Sequence, residues 1–155
     1  MRMRSLFSLI FCTLLALLAT RGLGAQVLVR AVRGLAFGTV IPAVPLHVLR
    51  TDPVNSGQFE LRAPPPKIVI ITLTLPTVMT GPLGATMPLS FATNDAGFSS
   101  TNSIGSQVAF NPHQTYVTIM FQNRVGVFLG GTVSPTLTQA AGAYTGTVVM
   151  SVVIL

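Results

Sequence analysis

The sequence predicts an all-β domain of short antiparallel strands, arranged as a sandwich or small barrel, and three observations predict it. Apolar and polar residues alternate with period two in several runs, the signature of strands with one buried face. Turn-forming pairs separate those runs: Asp52-Pro53, Asn55-Ser56-Gly57, Pro64-Pro65-Pro66, Gly81-Pro82, Asn94-Asp95-Ala96-Gly97, Asn111-Pro112 and Ala141-Gly142. After residue 25 no stretch keeps apolar residues at the three- and four-residue spacing of an amphipathic helix.

Residues 1–25 are read as a cleaved signal peptide. Arg2 and Arg4 form a positive start, Leu6 to Ala19 an apolar run, and Gly22, Gly24 and Ala25 a small-residue exit. The apolar run is too short for a permanent span. Residues 26–155 then form one domain, large enough to bury a core without disulfides. Its first segment, Gln26–Val32, is apolar and strand-like. His47 lies between Leu46 and Val48 and reads as a strand histidine. In 58–62, Phe59 and Leu61 share one face, with Gln58, Glu60 and Arg62 on the other. In 67–76, Val69, Ile71, Leu73 and Leu75 oppose Ile68, Ile70, Thr72 and Thr74. Met87, Leu89 and Phe91 alternate with Thr86, Pro88 and Ser90.

The longest polar stretch, residues 93–106, is expected to be a mobile surface loop, the kind of segment where binding residues sit. In 116–121, Val117, Ile119 and Phe121 alternate with Tyr116, Thr118 and Met120, and Phe121 is expected in the core together with Phe37, Phe59, Phe91 and Phe110. Gly130-Gly131, inside the run 124–135, marks a bulge or sharp bend. In the C-terminal run, Val148, Met150, Val152 and Ile154 share one face and Val149, Val153 and Leu155 the other. A strand apolar on both faces lies inside a sandwich or is covered by a partner.

Inventory narrows the chemistry. Beyond residue 25, six basic residues (Arg30, Arg33, Arg50, Arg62, Lys67, Arg124) face three acids (Asp52, Glu60, Asp95), an excess of three positive charges scattered along the chain. No basic run tracks phosphates, so nucleic acid is not an expected partner. The sole cysteine, Cys12, lies in the signal segment. Three acids and two histidines leave no paired carboxylates or nucleophile triad, so an enzyme is not expected, and no cofactor is. His47, His113 and Asp95 are the only conceivable metal set, and their spacing carries no motif. A sugar platform would draw on exposed aromatics. Trp is absent, and Phe98 and Phe128 are the two candidates. An outer-membrane barrel would want aromatic girdles that this composition lacks.

The run Leu129-Gly130-Gly131-Thr132-Val133-Ser134-Pro135, then Thr138 to Gly142 and Ala143-Tyr144-Thr145-Gly146-Thr147-Val148, resembles the closing pattern of the bacterial DUF4402 family. Similar endings occur in spore-coat-U and chaperone-usher pilin-like families. Leu35 to Pro42 looks like the same family's opening motif, and Gly57–Leu61 with Ile70–Pro76 like its central strands. The resemblance covers most of residues 35–155. It departs at the terminus, where Val153-Ile154-Leu155 replaces the aromatic ending more usual in the family. It implies an immunoglobulin-like sandwich of exported surface proteins, with Gly130, Gly131, Gly142, Tyr144 and Gly146 in structural roles.

The expected function is therefore that of an exported, non-enzymatic structural or assembly subunit, located in the periplasm, on the cell surface or outside the cell. Residues 26–33, with Val27, Val29 and Ala31 on one face, are the candidate strand donor to another copy or a related subunit, with a periplasmic chaperone as a further partner. The competing reading makes the same segment the domain's own first edge strand. The alternative function is a binding module for a carbohydrate or protein, using the 93–106 loop.

Overall fold

The computed structural model describes residues 27–155, so the signal-peptide reading of 1–25 falls outside the described residues. Over these described residues the fold is all-β and sandwich-like, with twelve short strands: β1 (Leu28–Arg33), β2 (Leu46–Val48), β3 (Gly57–Arg62), β4 (Lys67–Thr74), β5 (Val78–Thr80), β6 (Thr86–Ser90), β7 (Ala96–Ser99), β8 (Val108–Phe110), β9 (Tyr116–Met120), β10 (Arg124–Leu129), β11 (Gly131–Val133) and β12 (Val149–Ile154). They form three sheets in the orders β1-β3-β10-β7-β8, β2-β11-β6-β5 and β12-β4-β9. All the pairings are antiparallel. Among the described residues no helix is long and apolar enough to cross a membrane.

Period-two patterning accounts for the centre of each sheet. On β4 the side chains of Val69, Ile71 and Leu73 are buried, while Ile68, Thr72 and Thr74 are exposed. On β6, Met87 and Leu89 are buried between exposed neighbours. These residues join Leu61, Phe91, Phe98, Phe110, Met120, Val125, Val127, Leu129 and Val133 in one apolar core. Transfer of that apolar surface from water is the main favourable term in folding.

Gly130 is where one continuous run changes sheets. β10 pairs with β3 and β7, whereas β11, one residue later, pairs with β2 and β6. A side chain at 130 would meet the Val48 carbonyl oxygen at 2.4 Å, so the approach of the two backbones requires glycine. The bend expected at Gly130-Gly131 is thus the corner that joins two layers.

Three expectations need correction. Residues 93–106 are not one loop: Ala96–Ser99 form β7, fully buried between β10 and β8. The rest folds back, with Asn102 and Ile104 lining the hollow over Phe128. On β9 the faces are the reverse of those expected. Val117, Ile119 and Phe121 are 60%, 44% and 68% exposed, and Met120 is fully buried. The register decides this, because Tyr116 and Thr118 pair with the inward Ile71 and Val69, while Val117 pairs with Ile70. Finally, Phe98 and Phe128 are only 4% and 1% exposed, so neither offers an aromatic platform to a sugar.

Candidate assembly edges and the groove between them

The side chains singled out as a donor face converge on one side of the fold. β1 pairs only with β3 among the described strands, and β12 only with β4, so each has an open outer edge. The β1 register sets Val29 opposite Leu61 and Ala31 opposite Phe59. Leu61 is fully buried, so Val27, Val29 and Ala31 have the parity of the inward face. Yet Val29 is 39% exposed. On β12 the inward residues Met150, Val152 and Ile154 are likewise only half-buried, unlike their neighbours on β4. The core is therefore incompletely covered along this side.

A cavity of about 210 Å³ opens beside β1, lined by Ala31, Phe59, Met79, Leu89, Leu129 and Val148. Leu35 and Phe37, in the segment after β1, complete the lining. Its surface is predominantly apolar, as in a groove that takes an apolar occupant.

Polar chemistry holds the segments that lead into the groove. Arg33 closes β1: its guanidinium donates to the carbonyl oxygens of Ser56 (2.6 Å) and Pro53 and to Ser56 Oγ (2.8 Å). The turn it grips is shaped by Asp52, whose Oδ1 accepts from the backbone N–H groups of Val54 and Asn55, each at 2.8 Å. Those backbone N–H groups, chiefly that of Asn55, together with the Asn55 side chain and the Arg33 charge, hold the Asp52 carboxyl below its ordinary value. In the C-terminal motif Tyr144 packs its ring over Gly81. Its hydroxyl donates to the Ala140 carbonyl oxygen (2.8 Å) and accepts from Gln139 Nε2 (2.6 Å). Thr145 exchanges backbone hydrogen bonds with Thr80, at 2.8 and 2.9 Å. Gly142 adopts φ +145° against the Pro82 ring, and Gly146 borders the groove. The C-terminal motif thus positions the approach to β12.

The remaining polar residues form separate clusters. Glu60 is 2% exposed and lies on the outer face of the five-stranded sheet. Arg62 Nε donates to it at 2.6 Å, Arg124 donates from the neighbouring strand, and Asn102 Nδ2 approaches at 3.3 Å. Burial pushes this carboxyl up, and the hydrogen bonds and charges of Arg62 and Arg124 outweigh it, so it sits below the ordinary glutamate value. His47 Nε2 meets Asp95 Oδ1 at 3.1 Å on β2, as a strand histidine with a partner. His113, in the turn after Pro112, directs Nε2 to the Phe91 carbonyl oxygen at 2.8 Å instead. The structure thus brings two of the three conceivable metal ligands together. No group of three His, Cys, Asp or Glu is placed to hold a metal among the described residues.

Sequence reasoning singled out Val27, Val29 and Ala31 as one face of the first strand, and it singled out the C-terminal motif. It missed Arg33 as the clamp and Phe37, Met79 and Val148 as groove walls. The only signal was an arginine ending an apolar strand just before Gly34. A scan against family models, a search of curated proteins and a search of solved structures each found no match to this chain.

Proposed function

We propose that this chain is an exported structural subunit that joins its neighbours by β-strand addition at the open side between β1 and β12. The observation that carries the reading is the groove. Inward-facing Val29 and Ala31 remain exposed, Ala31 lines an apolar cavity, and β1 has no partner on its outer edge among the described strands. An added strand satisfies main-chain hydrogen bonds at an edge and places alternate side chains into the apolar space.

In the isolated chain residues 28–33 are the domain's own edge strand, paired to β3. Donation is then an exchange. The 26–33 segment of one copy takes the place beside β3 in the next, and Val27, Val29 and Ala31 keep their inward parity. The resemblance of the C-terminal motif to DUF4402 and pilin-like subunits favours the same reading, along with an immunoglobulin-like strand arrangement. A periplasmic chaperone would cover the open side before assembly. No cofactor enters this function.

The test uses protein sheared from intact producing cells and run on a denaturing gel with and without boiling. A ladder that collapses to one band on boiling is expected. Replacing Val29 and Ala31 with aspartate is expected to remove the ladder while leaving a cooperative unfolding transition. A single monomer band in both lanes for the unaltered protein rejects strand exchange.

A further inference from the structure

We propose that the outward face of the three-stranded sheet β12-β4-β9 docks against the same face of a second copy of this chain. The register builds two apolar rows across all three strands. Val117, Ile70 and Val153 stand side by side, because Ile70 pairs with both of the others. Ile119 pairs with Ile68, and the Leu155 backbone N–H donates to the Ile68 carbonyl oxygen at 3.0 Å, which completes the second row. Phe121 extends the face beyond Ile119. Thr72 and Ser151 border it on the far side. Lys67, the one charged residue on these strands, has the inward parity of Val69.

Exposure makes this face unusual for a monomer. Ile68 is 41% exposed, Val117 60%, Ile119 44%, Phe121 68%, Val149 50%, Val153 56% and Leu155 70%. With whole side chains of about 150–250 Å² for an aromatic and somewhat less for an aliphatic residue, the exposed part comes to roughly 700 Å². The largest apolar patch on a typical monomer is about 300–600 Å². Two such faces together would bury roughly 1,400 Å², within the range of about 1,200–2,000 Å² for a specific interface.

The occupant follows from the chemistry of the face. It carries no charge, so a like face leaves no ion unpaired on burial. A two-fold axis between two copies makes the contact self-complementary and closed. Two sheets of this kind pack about 10 Å apart with side chains interdigitated. A lipid surface would instead favour basic residues and Trp or Tyr around the apolar centre. Trp is absent, Tyr116 lies on the inward side of β9 opposite Ile71, and Tyr144 is half-buried in the C-terminal motif. Face-to-face docking leaves the edges of β1 and β12 free and does not depend on strand exchange.

The test is the molar mass of protein purified from producing cells, by light scattering and sedimentation from about 1 to about 500 μM. A dimer that dissociates on dilution, and in detergent without boiling, is expected. Val117→Lys and Val153→Lys each place a charge on the face, at positions exposed enough to preserve folding. Each is expected to raise the dissociation constant at least about tenfold. The milder Val117→Thr, which keeps strand propensity, is expected to weaken it less. Val108→Lys, at an exposed site on β8 in another sheet, is expected to leave it unchanged. Three results would overturn the proposal: a monomer throughout the range, a dimer unaffected by both lysine variants, or flotation of the monomer with phosphatidylcholine–phosphatidylglycerol vesicles.

Discussion

Replacing Gly130 with alanine brings a methyl group against the backbone at the corner between two sheets. The new Cβ would lie 2.4 Å from the Val48 carbonyl oxygen and 2.7 Å from the Arg50 backbone nitrogen. Ordinary contact begins near 3.4 Å, so one backbone must move by about 1 Å. Neither moves freely. Val48 is buried and paired with Gly131, and the Gly130 N–H donates to the Asp95 carbonyl oxygen at 2.8 Å. Overpacking usually costs about 1–3 kcal/mol, and backbone neighbours on both sides put this case near the upper end, about 3 kcal/mol. For a domain of this size that corresponds to a fall in Tm of about 12 °C. Thermal unfolding followed by circular dichroism reads it directly. Gly34→Ala is the paired control: nothing lies within 4 Å of its added Cβ, so its Tm is expected to stay level or rise slightly. A Gly130→Ala protein melting within about 2 °C of the unaltered chain would refute the corner as a steric requirement.

Three further outcomes are expected. Phe128→Ala, which empties a side chain 1% exposed beneath the 100–107 segment, should cost about 3 kcal/mol in chemical unfolding and open that segment to proteolysis. Tyr144→Phe removes a hydroxyl bonded to Ala140 and Gln139 and should cost about 1 kcal/mol by the same measurement. Asp52 and Glu60 both have folded carboxyl values below their ordinary 3.8 and 4.5, so their stabilisation is fully present above those values and is lost as pH falls through the lower folded ones. The urea midpoint should therefore hold steady down to about pH 5 and decline below about pH 4, with a shallower decline in Arg124→Gln. A midpoint indifferent to acid would contradict that reading.

Legibility in the sequence follows the contrast between strand faces. On β4 the stretch KIVIITLT set Val69, Ile71 and Leu73 on one face, and the threonines on the other are what leave that face to be buried. On β9 both faces carry large apolar side chains, and periodicity alone does not say which turns inward. The pairing of Tyr116 with Ile71 decides it, and that information lies in another segment. β7 escaped detection for a related reason. Ala96, Gly97 and Ser99 are small and polar or nearly so, and only their place between β10 and β8 buries them. The three-residue strands β5 and β8 are too short to show a period. Glu60 read as a solvent-facing residue of β3, and the two arginines that cover it are visible as a set only once β10 lies beside β3. Of the proposed assembly side, Val27, Val29 and Ala31 were legible as one face. The groove beside them was not, since its lining comes from six separate segments.

The pairing of β4 with β12 also sets an order of events. A chain that emerges with its N-terminus first can dock β4 on β9 once residue 120 is free, but the opposite edge waits for residues 149–154. During that interval an eight-residue strand rich in isoleucine and valine shows a row of unsatisfied N–H and C=O groups, the template on which foreign strands nucleate. Closing the sheet depends on contacts distant in sequence, which form slowly. The vulnerable moment of this protein's life thus falls late in its emergence, and whatever shields β4 must hold on until the final strand arrives.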